Sequence, residues 1–80
     1  MGHQEVYIRD RSSGNAYGVD GTWLSRSMRV IHPERVMRFK DEMTARVFAR
    51  HKFKRPGQSS RDVELMLEGV EYVDTTYLSR

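Results

Sequence analysis

The segment "RDVELMLEGVEYVD", residues 61–74, admits two readings, and the choice between them decides how many helices the chain carries. Val63, Leu65 and Leu67 alternate with Glu64, Met66 and Glu68, the period of two of a half-buried strand. Val63, Met66, Leu67 and Val70 also fall at helical spacing, Ser59 with Asp62 has the form of a capping box, and Gly69 suits a helix end. "VEYV", residues 70–73, continues in strand formers, and a sheet built from the preceding segments needs a further member. The strand is therefore the preferred reading of 62–73, with a bulge at Gly69, and the helix is its alternative. The closing "DTTYLSR" reads as a loose tail or an edge extension.

Upstream, "DEMTARVFARHKF" runs without glycine or proline behind Asp41, which can cap the free N–H groups of a first turn, and Glu42 suits the positive end of the dipole. Ala45, Phe48, Ala49 and Lys52 recur at i, i+3, i+4 and i+7, which predicts a helix from Asp41 to about Phe53 that buries Ala45, Phe48 and Ala49 and keeps the Lys52 stem at the margin. "KRPGQSS" ends it as a loop. Before it, "RVMRF" sets Met37 and Phe39 on one side and Val36 and Arg38 on the other, as a strand does. Near the N-terminus Val6 and Ile8 alternate with Tyr7 and Arg9, and "RSSGN" supplies a turn, so "QEVYIRD" and "AYGVDG" form a hairpin. "TWLSRSMRVIHPER" fits neither period, although His32 before Pro33 is expected to be extended or in a turn. The predicted architecture is a single α+β domain over 1–80, one helix on a small, mostly antiparallel sheet, in the order hairpin, strand, helix, strand.

Eighty residues build a single core that buries only about 60% of the unfolded chain's surface, which leaves little room for a deep pocket. Cysteine is absent, so disulfides and thiolate chemistry are excluded. No apolar run approaches the roughly 18 residues of a membrane span, and "MGHQEVYIRDR" lacks the apolar core of a signal peptide. A cytoplasmic protein with no membrane partner is the expectation. The net charge of +3 conceals a polarity: residues 26–61 hold eleven Lys/Arg against three Asp/Glu, and residues 62–80 hold one against five. A basic segment followed by an acidic one can steer an anionic partner, or the acidic tail can fold back and neutralise part of the block.

The chemistry-bearing residues point away from catalysis. His3, His32 and His51 are far apart in sequence, with no spacing that makes a metal site, and no cofactor or metal is implied. Asp41 and Glu42 are explained by capping, and the triple of Asp41, His51 and a serine of "GQSS" is the kind any such chain offers. Gly14, Gly18 and Gly21 form no phosphate loop. The informative residues are two sets. Tyr7, Tyr17 and Trp23 lie in or beside the hairpin and can pack in a core, anchor a protein interface or stack bases. Arg46, Arg50, Lys54 and Arg55 crowd the helix and its end, where they can grip phosphates or present donors to carboxylates. Lysines number three, at 40, 52 and 54, and all other basic residues of the Lys/Arg set are arginine, a bias toward bidentate contact.

In size and layout the chain resembles the small accessory proteins of phages and mobile elements, including anti-CRISPR inhibitors. Many of those are acidic where this chain is basic, and the likeness carries over no functional residue. It implies a non-enzymatic inhibitor or adaptor that docks on nucleic-acid-handling machinery, on an acidic protein surface or a nucleoprotein complex. The alternative is a nucleic-acid-binding module that uses the basic helix end.

Overall fold

The computed structural model describes residues 5–79, with the Ser79 side chain left aside. Four strands, β1 (Val6–Asp10), β2 (Ala16–Tyr17), β3 (Trp23–Leu24) and β4 (Val70–Asp74), form an antiparallel sheet in the order β3-β2-β1-β4. Three helices accompany it: α1 (Arg26–Ile31), α2 (Glu42–Lys52) and α3 (Ser60–Leu67). The α+β class and the antiparallel sheet are as the sequence predicts, and the helix count is higher.

The difference lies in the segment of two readings, and the helix takes its first half. Ser59 Oγ accepts from the Asp62 N–H at 3.2 Å while the Asp62 carboxylate accepts from the Ser59 N–H at 3.3 Å, a complete capping box. A strand would have placed Val63, Leu65 and Leu67 on one buried face. Instead Val63 is buried, Met66 and Leu67 are half-buried, and Leu65 is 57% exposed, which is the helical stripe. Only from Val70 does the chain extend, and Gly69 is the corner between the two elements, with no bulge. A Cβ added there would stand 3.2 Å from the Met66 carbonyl oxygen, so a side chain would crowd the turn.

The sheet is covered on both faces by two core clusters, which corrects the expectations of a half-buried first strand and of a single core. Val6, Ile8, Tyr17 and Val70 pack with Phe39, Ala45 and Ala49 under α2, with Phe48, Leu67 and Tyr72 at the margin. Tyr7, Ala16 and Leu24 pack on the other side with Val36 and Leu78, joined by Met28 of α1. Leu78 is buried within a 3₁₀ turn, Thr75–Ser79, so the closing segment is anchored to the core through Leu78 and, over its described residues, is not a loose tail. Alternation fails as a guide in β1 because a strand buried on both faces reads as a continuous apolar run, and a tyrosine disguises it.

Two further expectations change. "RVMRF" is not a ladder strand: its first residue ends a 3₁₀ turn, Pro33–Arg35, and its backbone pairs with the sheet through isolated bridges, Val36 to Gly18 and Phe39 to Val6. The bridges let Val36 enter one core and Phe39 the other. Gly18 permits this close approach, since a Cβ there would lie 2.9 Å from the Thr22 carbonyl and 3.2 Å from that of Arg35. The unreadable stretch holds a third strand, β3, and then α1, capped by Ser25. The helix expected at Asp41 to about Phe53 is α2, with the Asp41 carboxylate accepting from the Thr44 N–H at 2.8 Å and the Phe53 N–H closing on the Ala49 carbonyl; Ala45 and Ala49 are buried as expected, and Phe48 is only half-buried.

Candidate functional site

The seven residues singled out from the sequence fall into three groups. Tyr7 and Tyr17, 2% and 4% exposed, are core residues and cannot offer a ring to a partner, which removes them from the binding set. The Arg29 guanidinium lies 6.0 Å from the centre of the Tyr7 ring, and the Tyr17 ring meets Trp23, Phe48 and Phe53 at 5.3 to 5.7 Å.

Arg46 and Arg50 form the second group and are engaged within the fold. Arg46 donates to Glu42 at 2.9 Å across one helical turn, and its guanidinium sits 4.9 Å from the centre of the Tyr72 ring. Arg50 is ion-paired with Glu64, which ties α2 to α3. The acidic segment thus folds back on the basic one at this flank. Burial pushes the Tyr72 phenol above its ordinary pKa, and the nearby Arg46 charge pulls in the opposite direction.

Trp23, Lys54 and Arg55 form the third group, and the structure brings them together. They line a groove of about 610 Å³ between the end of α2 and the turn of the first hairpin. Its apolar surface comes from Trp23, Phe53, Met66 and Val70, and its cations from Lys52, Lys54 and Arg55. The indole is 39% exposed, stacks on Phe53 at 5.8 Å and 28°, and meets Tyr17 edge-on, so it is held from within while part of it remains open. The Arg55 backbone is fixed by reciprocal bonds with Gln58, its N–H donating to Oε1 at 2.8 Å and its carbonyl accepting from the Gln58 N–H at 3.2 Å. Lys52, Lys54 and Arg55 make no ion pair among the described residues.

Among the described residues, one anion, Asp10, lines the groove. Its carboxylate accepts from the Ser13 hydroxyl at 2.6 Å, the Ser13 N–H at 3.0 Å and the Ser12 hydroxyl at 3.1 Å, and these bonds hold its pKa below 3.8. The groove is therefore positive on the helix side and negative on the hairpin side. Asp20 is depressed in the same way by the Thr22 hydroxyl and N–H in the β2–β3 turn. Both shifts stem from turn hydrogen bonds and neither requires a catalytic neighbour.

Sequence reasoning missed Lys52, Phe53, Met66 and Val70 as groove residues. The available signal was "HKFKR", residues 51–55, an aromatic between cations just past a helix end. Met66 carried no such signal, because its place depends on α3 being helical. His3 lies outside the described residues. Among the described residues no group of three or more His, Cys, Asp or Glu is arranged to hold a metal ion, and no helix is long and apolar enough to cross a membrane. No family model matches the chain, no curated protein matches it and no solved structure matches it.

Proposed function

We propose that the domain is a non-enzymatic cytoplasmic binding protein that docks through its cationic groove onto an acidic surface of a protein partner. The observation that supports this reading is the division of the basic block. Arg46 and Arg50 are taken up by Glu42 and Glu64, whereas Lys52, Lys54 and Arg55, around a partly open tryptophan, have no ion pair among the described residues. Ammonium and guanidinium groups so placed form charge-assisted bonds with carboxylates, and tryptophan is among the residues enriched at interface hot spots. Stoichiometric docking of this kind makes an inhibitor or an adaptor. The resemblance in layout to phage accessory proteins suggests a component of nucleic-acid-handling machinery as the partner.

A nucleic-acid-binding module is the second reading, favoured by the same tryptophan and cations. Ionised Asp10 argues against it, because an evenly charged backbone crossing the groove meets repulsion on the hairpin side. Affinity capture with and without nuclease separates the two. A partner that survives nuclease and is lost with K52E/K54E/R55E supports protein docking. Loss on nuclease treatment, with tight duplex binding whose log K falls at a slope of roughly −2 to −3 against log salt, supports nucleic acid.

A further inference from the structure

Building on the protein-docking reading, we infer that the groove takes a short acidic segment of the partner, with one large apolar side chain seated against Trp23 and its carboxylates on the Lys52–Arg55 side. A volume of about 610 Å³ accommodates a bulky side chain with its neighbouring backbone and is too small and open for a buried helix. The seat is apolar on several sides, since Met66 of α3 and Val70 of β4 complete what Trp23 and Phe53 begin. A flat base needs a free ring face. Here one face of the indole is stacked on Phe53, and Met66 and Val70 line the hollow beside the indole, which suits a side chain that fills volume.

Charge complementarity fixes the rest of the occupant. The cations lie within residues 52–55, and the hairpin side carries ionised Asp10. Carboxylates clustered on one flank of the anchor meet ammonium and guanidinium groups, and a polar uncharged flank faces Asp10. The aromatic contacts hold the indole and the Arg55–Gln58 bonds hold the loop backbone in place before binding, which lowers the ordering cost of capture.

Trp23 is the single tryptophan, so its emission reports on the groove alone. The probe is an acidic peptide of about twelve residues with one phenylalanine and four Asp/Glu on one side of it, titrated at about 0.15 M salt, where a Debye length near 8 Å still leaves contact charges effective. Saturable binding with a shift in emission is expected. Binding should weaken at least tenfold when the phenylalanine is replaced by serine, or when the acids are replaced by their amides. Met66→Glu, which puts a carboxylate on the groove wall, should remove binding while circular dichroism shows the fold retained. Absence of binding, equal binding by the serine peptide, or tighter binding of oligothymidine overturns the inference. If partner capture is lost with K52E/K54E/R55E but is indifferent to Met66→Glu, the seat is wrong while the docking reading stands. If capture is indifferent to both variants, both fail.

Discussion

The flank of α2 that meets α3 and β4 and the end of α2 that meets the hairpin draw their cations from one basic block, yet they are different surfaces. At the flank each arginine has a carboxylate of its own, Glu42 for Arg46 and Glu64 for Arg50, and the Tyr72 ring lies beneath Arg46. At the end, three cations in four residues have none among the described residues and surround aromatic surface. The difference arises from the chain segment that comes alongside. Helix α3 brings Glu64 to the flank, and the same helix presents Met66, a neutral side chain, to the groove. Formal charge counted along the sequence does not separate these outcomes, because the separation depends on which face of α3 points where.

The largest effect that tests this division is at Tyr17, against which the groove aromatics rest. Tyr17→Ala removes a buried ring touching three others and should destabilise the domain by about 3–5 kcal/mol, a large part of a total of about 5–15. Thermal denaturation measures it, and a melt close to wild type contradicts the assignment of Tyr17 to the core. Trp23→Ala should shift the melt far less and act on binding, lowering affinity for the acidic phenylalanine peptide at least tenfold.

A smaller effect is expected at the flank. Arg50→Gln breaks an ion pair whose partners are both more than half exposed, so the loss should not exceed about 1 kcal/mol and should shrink further in added salt. A larger loss in denaturant titration indicates that the flank carries more of the stability than exposed pairs do.

The smallest effect is on acid stability. Asp10 has a folded pKa below its unfolded value near 3.8, so its contribution is present above that pH and is lost as pH falls through the folded value. Melting temperature measured downward from pH 5 should therefore fall more steeply for the wild type than for Asp10→Asn. Parallel curves indicate that the Ser12 and Ser13 bonds do not distinguish the charged carboxylate.

How much of this was legible in the sequence depended on whether an element's signals were local. Helix α2 could be read closely, because its cap, its Ala45–Phe48–Ala49 stripe and its cationic end all lie within it. The first hairpin was legible for the same reason, with its turn residues in place. Residues 60–67 carried a local capping box that was outweighed by the need for another strand, when a strand did follow, only eight residues further on than the preferred start at 62. Val36, Phe39 and Leu78 join cores through long-range contacts, so no period in their own segments announces them. The groove was half legible. Trp23, Lys54 and Arg55 stood out by type, Tyr7 and Tyr17 stood out equally and are buried, and only the course of the chain divides them.

The most direct test of the account compares two variants on one peptide. K54Q/R55Q removes two cations of the groove, and R46Q/R50Q removes the two of the flank, so the total charge changes equally in both. Isothermal titration of each with the acidic phenylalanine peptide at about 0.15 M salt should show the groove variant binding at least tenfold more weakly than wild type and the flank variant within about twofold of it, both folded. Equal losses, or a greater loss for R46Q/R50Q, contradict the claim that the two ends of the basic block do different work.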